Sequence, residues 1–90
     1  MNFSVLMSVY CKENALFLDA ALRSIYNQTI KPTEVVLVQD GPLSRDLYAV
    51  IESWKSKLNI VDVLMKDNVG LGAALNEGLK YCRYDFVARM

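Results

Sequence analysis

The stretch V-V-L-V-Q-D-G-P-L, Val35 to Leu43, runs four apolar and mostly β-branched residues up to a carboxylate, with Gly and Pro directly after it. A short run that is apolar at successive positions reads as a strand covered on both faces, as a parallel sheet requires. Asp40 then stands at the carboxyl tip of that strand. Taken alone, D-G-P is turn chemistry: Asp accepts bonds from neighbouring backbone N–H groups and Gly tolerates positive φ. The remaining sequence decides whether Asp40 does more.

Working outward, Phe3 to Tyr10 is a second apolar run, broken only by Ser4 and Ser8 and too short for a helix. Asn14 is placed to cap a helix whose inward face is Leu18, Ala21, Leu22 and Ile25, and Lys31-Pro32 ends that segment. Ser44 is an N-cap candidate for a helix with Leu47, Val50, Ile51, Trp54 and Leu58 inward. Ile60 to Met65 reads as a further strand. Gly70 to Cys82 reads as a third helix, with Leu71, Ala74, Leu75, Leu79 and Cys82 along one stripe, and Asp85 to Ala88 begins a last strand. Strands apolar on both faces that alternate with helices predict an α/β fold, a Rossmann-like β-α-β-α-β-α-β parallel sheet with right-handed crossovers.

Ninety residues suffice for one small domain. A 53% hydrophobic content excludes a disordered chain, and ten basic against ten acidic residues, scattered singly, give no field for nucleic acid. With no His, proton transfer falls to carboxylates, Lys, Tyr or Cys. Cys11 and Cys82 stand far apart without a second ligand type nearby, so they read as free thiols in a reducing compartment, not as a metal site or disulfide framework. No apolar run is long enough to span a bilayer, and the N-terminus lacks the pattern of a signal peptide. The expected location is cytoplasmic, with a peripheral place at the inner membrane open to a longer parent.

In an open parallel sheet, ligands meet the carboxyl ends of the strands. Three polar strand ends fall there: S-V-Y-C-K-E (Ser8 to Glu13), Q-D-G (Gln39 to Gly41) and K-D-N-V-G-L-G (Lys66 to Gly72), the last opening a helix. Singly, each has a plain structural reading. Asn68 suits an N-cap, Glu13 suits a first helical turn, and the glycines suit close helix packing. Together they suit a nucleotide: a carboxylate accepts the imide N–H of a uracil ring, and helix-start N–H groups meet phosphate. The glycine run is not a dinucleotide fingerprint, because it follows the third strand and Leu75 occupies its third glycine position.

The ordered series S-V-Y-C-K-E, N-Q-T, V-V-L-V-Q-D-G, N-V-G-L-G-A-A-L-N-E-G-L and Y-D-F-V-A-R-M resembles the nucleotide-sugar-binding half of family 2 glycosyltransferases, which have the GT-A fold. The D-G-P-L and the closing R-M further resemble bacterial members that build capsule, exopolysaccharide or O-antigen. The resemblance covers essentially all 90 residues. It implies that Val9 and Tyr10 line the base, that Glu13 faces the nucleoside and that Asp40 holds the uracil. It also implies that Asn68 and the segment from Gly70 to Asn76 border the sugar-nucleotide site. Ser8 replaces the family's usual Pro, Cys11 its usual Asn and Gln39 a common Asp; Leu75 stands where many members carry Arg.

The resemblance places the family's D-x-D metal motif, which holds Mn²⁺ or Mg²⁺, immediately beyond Met90, together with the general base and the acceptor pocket. Residues 1–90 are thus expected to be the N-terminal nucleotide-binding part of a longer inverting transferase, with no catalytic or metal-binding residue of their own. That parent would move a sugar from a nucleoside-diphosphate donor, UDP-linked by this reading, to a saccharide or lipid-linked saccharide acceptor. The fragment alone would bind no metal and show no turnover, and its exposed last strand would be free to pair with another copy. The competing readings are a self-contained, non-catalytic flavodoxin-like binding module and a nucleotidyltransferase. The latter would need a basic glycine-rich loop after the first strand, where Y-C-K-E stands instead.

Overall fold

A computed structural model describes residues 2–90. Its elements run β1 (Ser4–Val9), α1 (Ala15–Tyr26), β2 (Glu34–Gln39), α2 (Arg45–Trp54), β3 (Ile60–Leu64), α3 (Leu71–Leu79) and β4 (Val87–Arg89). The four strands form one sheet in the order β3-β2-β1-β4, with every pairing parallel. The expected alternation and the parallel sheet are both present.

Strand periodicity divides the core into two layers. Val5, Met7 and Val9 of β1 and Val35 and Leu37 of β2 face α1 and α2, where Leu18, Leu22, Ile25, Leu47, Ile51 and Trp54 cover them. Leu6, Val36, Val38 and Val63 face the other way, onto Ala74 of α3. Because β2 lies to one side of β1 and β4 to the other, the strand order reverses at β1, and the crevice above that point is where such sheets take ligands.

The first two helices begin as expected. Asn14 Oδ1 accepts from the amides of Leu16 and Phe17 at 2.8 and 3.3 Å, and Ser44 Oγ accepts from Leu47 at 3.2 Å. Such caps contribute about 1 kcal/mol each. Leu58 is buried as expected, but it follows α2 and is not part of it, while Val50 is only half-buried.

The third helix departs from expectation. It ends at Leu79, not Cys82, and its buried residues are Ala74 and Gly78, while Leu71 and Leu79 stand 66% and 41% exposed. The cause is size. A Cβ on Gly78 would collide with Val38 Cγ2 and lie 2.7 Å from Leu6 Cδ1, so the helix rests its bare backbone on the sheet. The leucine stripe is turned aside, leaving Leu75 half-buried. β4 is likewise shorter and later than expected, pairing only with Ser4–Leu6 of β1.

At the amino edge of the sheet, Glu34 is 1% exposed and hydrogen-bond donors surround it. Ser4 Oγ donates to it at 2.6 Å, the Arg83 amide at 2.8 Å and Arg83 Nε at 3.2 Å. This cluster fastens the segment after α3 to the starts of β1 and β2, at the end of the molecule opposite the polar strand tips.

Candidate functional site

Above β1 and β2 lies a cavity of about 280 Å³, lined by Ser8, Tyr10, Glu13, Asp40, Asn68, Gly70 and Leu71. All three polar strand ends therefore contribute to one hollow. The alternation of β1 explains which residues reach it: Ser8 and Tyr10 share a side, while Val9 between them turns into the opposite core layer and is 2% exposed. Of the residues expected at the site, Tyr10, Glu13, Asp40, Asn68 and Gly70 converge. Val9 offers only its backbone, whose carbonyl accepts from the Asp40 amide at 2.8 Å. Asn76 lies exposed on α3 and is not among the lining residues. Leu71 falls within the segment from Gly70 to Asn76 expected to border the site, while Ser8, which opens the first polar strand end, has no expected role of its own although the two-residue period from Tyr10 points to it.

Asp40 is 4% exposed, and its carboxylate is already engaged. Oδ1 accepts from the Val69 amide at 2.8 Å and Oδ2 from the Gly70 amide at 3.1 Å. The start of α3 is an anion site, and its anion is this side chain. Asn68 does not cap α3, as its local position suggested; the N-cap residue is Gly70, which has no side chain to do so. Two of the helix-start amides expected to meet phosphate are likewise committed to Asp40.

The close fit between the two loops depends on Gly41, whose φ is +86°. A Cβ at that position would stand 2.9 Å from the Asn68 backbone nitrogen and 3.3 Å from its Cα. On the other flank, the hydroxyl of Tyr48 accepts from the Leu43 amide at 2.9 Å and fixes the D-G-P-L turn to α2. Gly41→Ala is therefore expected to destabilise the chain by about 2 kcal/mol, combining left-handed strain of roughly 1–2 kcal/mol with displacement of backbone at Asn68. Urea unfolding checks the loss, and amide shifts confined to residues 66–71 would show that the loop has moved.

Gln39 does not face the cavity. Its Nε2 donates to Asp62 Oδ1 at 3.2 Å on the α2 side, and Asp62 is paired with Lys55 at 2.7 Å. Adjacent residues of a strand point to opposite faces, so an acid at position 39 would sit beside Asp62, not in the hollow.

Set beside known proteins, residues 4–90 match the glycosyl transferase family 2 model. The chain belongs to that family. It is 51% identical over 88 residues to the UDP-Gal:alpha-D-GlcNAc-diphosphoundecaprenol beta-1,3-galactosyltransferase of Escherichia coli, a match covering 98% of this chain and 32% of the relative. It is 48% identical over 88 residues to the amylovoran biosynthesis glycosyltransferase AmsE of Erwinia amylovora, covering 98% and 33%. Among solved structures, S. aureus TarS superposes with a TM-score of 0.80 at 27% identity, over 100% of this chain and 16% of that one. The expected GT-A-type α/β architecture is thus present, and the chain spans about a third of the length of these two curated relatives.

The family uses a divalent metal, but the described residues do not supply a site for one. Among them, no three Cys, Asp, Glu or His side chains gather closely enough to hold an ion. No helix among them is long and apolar enough to cross a membrane.

Proposed function

We propose that residues 1–90 form the donor-binding part of an inverting glycosyltransferase. The donor is a nucleoside-diphosphate sugar, UDP-linked, and the acceptor a saccharide or lipid-linked saccharide of bacterial surface polysaccharide. The observation that carries the reading is Asp40: a nearly buried carboxylate on the wall of a cavity at the strand tips. Two bonds to amides leave it unfilled, since a carboxylate has about four lone-pair positions. The imide N–H of uracil is the donor that suits the remainder.

The other lining residues then take complementary parts. Tyr10 and Leu71 supply flat and apolar contact for the ring, Ser8 and Asn68 offer hydrogen bonds to its carbonyls, and Glu13 at the rim accepts from ribose hydroxyls. UDP linkage and a lipid-linked acceptor also accord with the name of the E. coli relative. Chemistry at the anomeric carbon, where an acceptor hydroxyl displaces the nucleoside diphosphate, belongs to the longer parent. So do the Mn²⁺ or Mg²⁺ that the family employs and the carboxylates that would hold it.

The reading predicts selectivity. Cytosine presents a lone pair where uracil presents an N–H, so CDP would set an acceptor against the Asp40 carboxylate. Sites built to receive a donor reject ligands that lack it by large factors. Titration of the ¹⁵N-labelled chain should show weak UDP binding with shifts at Ser8, Tyr10 and Asn68, and CDP binding at least about tenfold weaker. Asp40→Ala should weaken UDP binding by a similar factor. Equal affinity of the variant and the parent chain would remove Asp40 from the site.

A further inference from the structure

We propose that Asp40 couples occupancy of the cavity to the seating of α3. The proposal rests on the nucleotide reading above, in which the base donates a hydrogen bond to that carboxylate.

The asymmetry among the three helices is the starting point. α1 and α2 each carry their own cap, from Asn14 and Ser44. α3 has none: its cap position is Gly70, at φ +92°, and the Val69 and Gly70 amides are bonded by a side chain some 30 residues upstream. Little else holds this end of the helix. Val69 and Leu71 are 46% and 66% exposed, and the buried contacts of α3 begin only at Ala74. Yet the same short segment, through Asn68, Gly70 and Leu71, is one wall of the cavity. One carboxylate therefore serves as helix cap and as ligand-facing group at once.

A ligand that donates to the free lone pairs of Asp40 also shuts water away from it. Hydrogen bonds to a charged group are stronger in drier surroundings, so the two amide bonds tighten as the cavity fills. By linkage, whatever seats α3 raises affinity for the ligand to the same extent. Gly41 keeps the loops close enough for this, since only an absent Cβ lets Asn68 approach.

Amide hydrogen exchange tests the coupling, with UDP as the probe and the Leu16 and Leu47 amides, held by their own local caps, as internal references. In the free chain, Asp40→Asn should speed exchange at Val69 and Gly70 at least tenfold and leave the references unchanged. Saturating UDP should slow Val69 and Gly70 at least fivefold in the unmodified chain, again sparing the references. If Asp40→Asn does not fold, Asp40→Glu, which keeps the charge but displaces it, should give the same local acceleration. Unchanged rates in the folded variant would overturn the cap. UDP that binds, by its shifts at Ser8 and Tyr10, without altering Val69 and Gly70 would overturn the coupling and leave the nucleotide reading standing. Failure of UDP to bind at all would sink both.

Discussion

Gly78→Val should remove a large share of the chain's stability at room temperature. The Gly78 backbone lies directly on Val38 and Leu6, and even one added carbon would meet the two side chains at impossible separations. Both neighbours are fully buried, in the central strands β1 and β2, so neither has space to withdraw into. Overpacking of this kind costs about 1–3 kcal/mol for modest additions, and a β-branched side chain adds two further methyls. We expect a loss of at least about 3 kcal/mol, against a total that for a chain of this length is roughly 5–13 kcal/mol. Gly78→Ala separates the competing effects. Helix propensity alone would favour Ala by about 1 kcal/mol. A fall in the urea midpoint for Ala, and a larger one for Val, would show that contact with the sheet prevails. A rise for Ala would mean that α3 can lift from the sheet without loss.

That close contact marks where apolarity misleads as a guide to this fold. In β1 and β2, apolar residues at successive positions meant burial on both faces, and the parallel sheet follows from them directly. In α3 the same logic selected Leu71, Ala74, Leu75, Leu79 and Cys82; Ala74 is buried and Leu75 and Cys82 pack beside it, but Leu71 and Leu79 stand exposed and Gly78 meets the sheet instead. Gly78, four residues beyond Ala74 on the same helical face, completes the surface that meets the sheet; a search for apolar side chains passes over a glycine.

The site was legible in part for a related reason. Local spacing finds local partners, so it found Asn14 and Ser44 but assigned the third cap to Asn68. The acceptor is Asp40, which reaches α3 only after the chain has built a helix and a strand, α2 and β3, in between. Strand alternation, applied strictly, would have favoured Ser8 over Val9. It would also have turned Gln39 away from the hollow. Asp40 itself was first legible as turn chemistry and then as a ligand group. Bonded to backbone amides of a distant loop at the cavity wall, it has features of both.

Glu34 yields the second large effect, at the other end of the sheet. Burial pushes its carboxyl toward the neutral form, but hydrogen bonds from the Arg83 amide, the Ser4 hydroxyl and the Arg83 guanidinium outweigh this, and its pKa lies below the ordinary value. A depressed folded-state pKa means that the charged form stabilises the fold. That contribution is present above the unfolded-state pKa and is lost as pH falls through the folded-state value. Glu34→Gln keeps one acceptor oxygen but sets an NH₂ group against donors. With bonds to a charged group worth about 1.5–3 kcal/mol, we expect a loss of about 2–3 kcal/mol at neutral pH. In a domain this small, that corresponds to a drop in Tm of roughly 10 °C or more. Because the parent chain itself loses the charge in acid, the gap between the two should narrow as pH falls. Asp19 is also depressed, chiefly by the Trp54 indole N–H and then by Arg23, and it remains in both proteins. Both should therefore retain some acid sensitivity. Denaturation followed from neutral to acid pH checks this directly: a gap that stays constant would show that the charge on Glu34 contributes nothing beyond its shape.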